Sequence, residues 1–198
     1  MKVLVTGFTP FGGETVNPSY EAVKLLPDKI AGHTIAKALL TTRFGASRVE
    51  LQNLLNTVKP DAVVCVGQAG GRASVSIEKV ALNYAVAGDY DPDNVIKNNT
   101  VSESGKAAYF STLPVENIVK ALNAAGIPCA LSLTAGAFVC NYVMYSLLEL
   151  TQGTGILCGF VHIPYMPSQA AAKNPPPPSM ELSASANALA ETIRNLGL

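Results

Sequence analysis

Histidine is scarce: the 198-residue chain has two, His33 and His162. Two imidazoles and scattered acids do not make a three-ligand cluster, so no metal is expected. The four cysteines, Cys65, Cys129, Cys140 and Cys158, lack C-x-x-C spacing. Neither a zinc cage nor a small disulfide scaffold is indicated, and they read as reduced thiols. Charge is short too, at 14% of residues against the usual ~25%. Fourteen basic and fourteen acidic residues cancel, which leaves no electrostatic footprint for nucleic acid or an anionic membrane. No apolar span reaches the ~18 residues of a membrane helix. The apolar run within Met1 to Gly7 is shorter than a signal-peptide core, so a cytoplasmic location is expected. The glycine-rich turn Gly7 to Gly13 has neither the G-x-G-x-x-G pattern nor a Walker lysine, so it makes no phosphate cradle.

What the chain does have is apolar residues, 48% of the total. That excludes disorder, and the length fits one domain over residues 1–198. So neutral and apolar a surface also points to subunit contacts. Strands are predicted at Val3 to Thr6, Thr34 to Thr41, Ala62 to Val66, Cys129 to Leu133 and Ile156 to Ile163. Helices alternate with them: one opened by Asn17-Pro18, one opened by a Ser47–Glu50 capping box, then Val115 to Leu122, Val139 to Leu150 and an amphipathic tail from Leu182. Alternation with all-apolar strands predicts a three-layer α/β/α sandwich around a twisted, mostly parallel sheet. Two stretches break the pattern: the polar Ala87 to Gly105, and Gln169 to Pro178, which reads as a stiff polyproline loop.

In such sheets ligands bind beyond the carboxyl ends of the strands. The polar and reactive residues expected there are Gln68, Arg72, Cys140, Asn141 and His162. Cys140 falls at a helix start, where the dipole lowers a thiol's pKa and free N–H groups can hold an oxyanion. His162 ends an apolar strand at the same edge and is the one well-placed base; His33 belongs to the opposite edge. Glu78 falls where the apolar phase flips, from Val75 and Ile77 to Val80 and Leu82, so a bulge or turn is expected there. From that feature alone, Glu78 reads first as one of a solvated Glu78-Lys79 pair at a strand end.

These residues sit in motifs that resemble the pyroglutamyl-peptidase I family of cytosolic cysteine exopeptidases. The likeness is carried by Val5 to Gly13 with Asn17-Pro18, by Gly67 to Arg72 with Ile77 to Asn83, by Thr134 to Asn141, and by Gly159 to Tyr165, in order along the chain. The resemblance implies Cys140 as nucleophile, His162 as general base and acid, and Glu78 as the residue orienting the histidine. It also implies a pyroglutamyl pocket lined by Phe8, Phe11, Phe138 and Val139 with the Gln68 amide near it, no cofactor, and a homotetramer acting on peptides with N-terminal pyroglutamate. The family's Asp-Ala-Arg has no counterpart in Gly88 to Asn94, Leu133 replaces an amide, Ala137 a threonine, Tyr142 a histidine and Lys79 an arginine. A non-catalytic binder of cyclised N-termini and a thiol hydrolase for another small amide are the other readings of the same residues.

Overall fold

Strands that are apolar on both sides must be covered on both sides. The computed structural model, which describes residues 1–87 and 94–197, places them at the middle of three layers. The strands are β1 (Lys2–Phe8), β2 (Lys29–Ile30), β3 (His33–Leu40), β4 (Ala62–Gln68), β5 (Val75–Glu78), β6 (Val80–Leu82), β7 (Ala108–Phe110), β8 (Cys129–Ser132) and β9 (Leu157–Ile163). Among the described residues seven of them form one sheet in the order β2–β3–β1–β4–β9–β5–β8, and β6 with β7 forms a small second one. Pairing is parallel across β3, β1, β4 and β9 and again between β5 and β8, but antiparallel where β5 meets β9 and β2 meets β3.

The period-two alternation of a strand sends successive side chains to opposite faces. On one face Val3, Val5, Val64, Val66, Val161 and Ile163 are buried under α1 (Pro18–Leu25), α3 (Val115–Ala124) and α6 (Leu182–Arg194). On the other, Leu4, Phe8, Val63, Cys65, Cys158 and Phe160 are buried under α2 (Ala46–Val58) and α4 (Val139–Leu150). The order of β9 therefore commits His162 to the α4 face, two residues beyond Phe160.

Three local readings are settled here. Asn17 caps α1, its side chain accepting from the Ser19 N–H. Ser19 Oγ in turn accepts from the Phe8 N–H at 3.0 Å, which sets the exit of β1 toward the turn carrying Phe11. Gly7 permits this close approach, since a Cβ there would lie 2.5 Å from the Tyr20 backbone. The Ser47–Glu50 capping box does not form: α2 starts after Gly45 with no side-chain cap. Glu50 instead accepts from the Thr41 N–H and hydroxyl, and Ser47 donates to the Arg43 carbonyl. The stretch read as a polyproline loop begins within a short helix, α5 (Pro167–Ala171). Among the described residues no helix is long and apolar enough to cross a membrane.

Candidate active site

The phase flip at Glu78 is a change of sheet. The chain leaves the central sheet after Glu78, and one residue later enters the β6–β7 pair. Glu78 is not solvated: it is fully buried. Its register partner on β9 is Phe160, so His162 is its diagonal neighbour on the same face, within reach of a long side chain. Glu78 Oε1 meets His162 Nδ1 at 2.7 Å. The same oxygen accepts from Arg72 Nη1 at 2.7 Å, while Arg72 Nη2 donates to the Thr134 carbonyl at 2.9 Å. Oε2 has no hydrogen-bond partner among the described residues, and Ser132, the register partner on β8, turns its hydroxyl to the Thr134 carbonyl.

Burial works against ionising Glu78, but the hydrogen bond and charge of His162, with Ser132 and Arg72 beside it, hold the carboxyl below the usual range. An ionised carboxylate only accepts hydrogen bonds, so His162 carries its proton on Nδ1 and leaves Nε2 to the cavity. Burial also lowers the pKa of His162, against the pull of Glu78. The imidazole is thus neutral at pH 7, which a general base requires.

Cys140 lies in the first turn of α4, after Phe138, whose side chain makes no cap. The first N–H groups of the helix have no intrahelical partners. Gly67, the register partner of His162, brings the pieces together: a Cβ there would come within 2.9 Å of Cys140 Sγ and 2.8 Å of the Phe160 ring. Asn141 braces the other side. Its Oδ1 accepts from the Leu82 N–H at 2.9 Å, and its Nδ2 donates to the Leu82 and Tyr84 carbonyls at 2.8 Å. The segment leaving Glu78 is thereby tied to the turn carrying the thiol.

The lowered thiol pKa expected from the helix start is not found. Burial pushes Cys140 up to about 12, with the charge of Glu78 adding to it and Arg72 opposing. Burial likewise raises Cys65 to about 12 and Cys129 and Cys158 to about 11. What sets Cys140 apart is place: it is half-buried at the cavity, whereas the other three lie in the core.

A cavity of about 310 Å³ joins Cys140 and His162 to Gln68, Arg72, Phe11 and Phe138. Cavities of about 470 and 350 Å³ open elsewhere, by Asp61 and by Phe110, but hold no cysteine or histidine; chemistry, not volume, selects the site. Phe11 and Phe138 face each other with centroids 6.2 Å apart. Phe8 and Val139 lie deeper, buried in the core on the α4 face, with Phe8 6.1 Å from the Phe160 ring. Phe44, which sequence reasoning missed, packs its edge on Phe138 at 5.5 Å and on Tyr142 at 5.1 Å. The Tyr142 hydroxyl accepts from the Gly45 N–H at 3.1 Å and so anchors the Phe44 loop. The absent Asp-Ala-Arg motif falls on residues 88–93, outside the described residues.

The chain matches the model of the pyroglutamyl peptidase family over residues 1–196. It is 46% identical over 197 residues to a pyrrolidone-carboxylate peptidase of Thermosipho africanus, covering 98% of this chain and 96% of that one. It is 50% identical over 188 residues to one of Gloeobacter violaceus, covering 92% and 90%. Among solved structures it is similar to pyroglutamyl peptidase I of Bacillus amyloliquefaciens, with a TM-score of 0.93 at 40% identity over 100% of this chain and 95% of that one. A mutant pyrrolidone carboxyl peptidase of Pyrococcus furiosus gives 0.93 at 38%, over 99% and 98%.

Glu78→Gln keeps the size of the side chain but can donate to Nδ1 and so favour the wrong tautomer. The expected result is a fall in kcat on the order of 10²-fold or more with little change in KM; wild-type kinetics would leave Glu78 without a role. In the wild type, lowering the pH protonates the coupled Glu78–His162 pair, which would remove His162 as a proton acceptor. Because His162 lies below 6.5, the acid limb of kcat/KM is expected below pH 6.5, and a limb centred above it would contradict a neutral, buried imidazole.

Proposed function

The chain belongs to the pyroglutamyl peptidase family, and from that membership and the site geometry we propose that it is a cysteine exopeptidase removing N-terminal pyroglutamate from peptides. The observation that carries this reading is the 2.7 Å Glu78–His162 hydrogen bond facing, across one cavity, a cysteine at an uncapped helix start. A protein that only bound cyclised N-termini would have no use for a buried carboxylate holding a histidine tautomer.

A thiol held up to about 12 is not ionised in advance, so proton transfer accompanies attack. Cys140 Sγ adds to the pyroglutamyl carbonyl as its proton passes to His162 Nε2. The N–H of Cys140 and a neighbour in the first turn of α4 hold the oxyanion. The imidazolium, stabilised by Glu78, then protonates the departing amine, the C–N bond breaks, and a thioester remains. Water enters, His162 takes its proton, and pyroglutamate leaves as the thiol is restored. Phe11 and Phe138 offer the flat, uncharged lactam an apolar slot. No cofactor takes part in this scheme.

The working form proposed is a cytoplasmic homotetramer. Exposed apolar side chains support assembly: Phe110 at 66% and Leu82 at 43% on the small sheet, Tyr84 at 49% just after it, and Leu133 at 66% beyond edge strand β8.

Cleavage of pyroglutamyl-naphthylamide, run beside the prolyl and glutaminyl compounds, tests the activity. Only the pyroglutamyl compound is expected to release the amine, and Cys140→Ser is expected to abolish release while Cys65→Ser, Cys129→Ser and Cys158→Ser keep it. Activity surviving in Cys140→Ser would sink the mechanism. Light scattering is expected to give four times the chain mass of 20.6 kDa; a single-chain mass unchanged on concentration would contradict assembly.

A further inference from the structure

We propose that Gln169, on α5 and outside the reacting group, is a positioning residue that locks the Gln68 amide with its NH2 toward the cavity, so that the site selects a ring bearing a carbonyl acceptor. This deepens the proposed function and rests on it.

The assignment follows from which groups can donate. Gln169 is 5% exposed, and its Oε1 lies 3.1 Å from the Met166 N–H. A backbone N–H can only donate, so that branch of the Gln169 amide is the oxygen and the other is Nε2. The surroundings of Nε2 agree: it meets the Val16 carbonyl at 3.3 Å and Glu14 Oε2 at 3.4 Å, both acceptors. Glu14 is itself held by Lys173 at 2.6 Å, and Lys173 sits 4.9 Å above the Tyr165 ring. Nε2 carries two hydrogens, and its shortest contact, to Gln68 at 3.0 Å, takes one of them while Val16 and Glu14 share the other. Facing a donor, the Gln68 branch there is its oxygen. Gln68 Nε2 is then the branch left for the cavity that Gln68 lines with Phe11, Cys140 and His162, and it makes no hydrogen bond to the described residues.

The Met166 N–H thus fixes, through two amides, one donor at the site. A five-membered lactam has one carbonyl oxygen and one N–H, whereas a prolyl ring has no carbonyl to meet that donor. A site built around a hydrogen bond discriminates strongly against an analogue that cannot make it. The selectivity of the pocket therefore depends on Gln169, which touches neither substrate nor nucleophile.

Two substitutions separate this from a packing role. Gln169→Glu still accepts from the Met166 N–H but presents an acceptor to Gln68, which turns the Gln68 NH2 away from the cavity. Gln169→Met leaves the Gln68 amide free to rotate. With pyroglutamyl-naphthylamide, Gln169→Glu is expected to raise KM about 10-fold, and Gln169→Met less, with kcat within about twofold of wild type, as for loss of one hydrogen bond to bound substrate. In a Gln68→Leu background both effects are expected to vanish, because the two residues act as one unit. Unchanged KM in both variants would overturn the proposal, as would equal KM increases with and without Gln68, or a fall in kcat with KM unmoved. A variant that fails to fold, seen by its thermal unfolding midpoint, leaves the decision to the other, and two unfolded variants would assign Gln169 to packing. Wild-type protein that does not cleave the pyroglutamyl compound would overturn the function and this proposal together, whereas an active wild type with insensitive variants overturns the proposal alone.

Discussion

The hydrogen bond between Glu78 and His162 is the constraint on which the site depends. A carboxylate with no exposure is costly to ionise unless charged or hydrogen-bonding partners surround it. Here the partners come from three separate segments: His162 from β9, Arg72 from the β4–β5 turn, and, through Arg72, the Thr134 carbonyl ahead of α4. The antiparallel pairing of β5 with β9 makes this possible, because it sets Glu78 beside Phe160 and diagonal to His162. An all-parallel sheet of the same order would send the carboxyl end of β5 the other way along β9.

The remaining features follow from keeping that pair dry and aimed. Phe160 packs on the His162 ring at 4.8 Å, and Phe8 packs behind Phe160. Gly67 leaves room for the thiol to approach the face of the sheet where the imidazole stands. The same burial raises the pKa of Cys140 and lowers that of His162, so both are neutral before substrate arrives. In the proposed mechanism charge develops during attack, in surroundings where Glu78, Arg72 and the helix start are already oriented.

Much of this was legible in the sequence. The alternation of Val75, Ile77, Val80 and Leu82 marked a break at Glu78, expected as a bulge or turn and found as a change of sheet, and the apolar run ending in His162 marked its edge. The helix-start position of Cys140 was equally plain. Three things were hidden for physical reasons. Burial of Glu78 depends on strand order, which no local pattern encodes. Burial of the thiol, which pushes its pKa up, is likewise a tertiary property. The Gln169–Gln68 contact joins residues 101 positions apart, in a stretch whose prolines suggested only a stiff loop. The Ser47–Glu50 pair failed as a capping box because Glu50 found the Thr41 N–H and hydroxyl on a neighbouring segment, a local signal overridden by a tertiary partner.

The central claim is that Glu78 holds His162 as the neutral Nδ1–H tautomer, with Nε2 free to take the thiol proton. Having only two histidines makes this directly observable by nitrogen NMR of the imidazole rings, with His33→Gln assigning the signals. At pH 7 the account predicts that His162 shows a protonated Nδ1 and an unprotonated Nε2. An imidazolium at that pH, or a proton on Nε2 with Nδ1 bare, would contradict it.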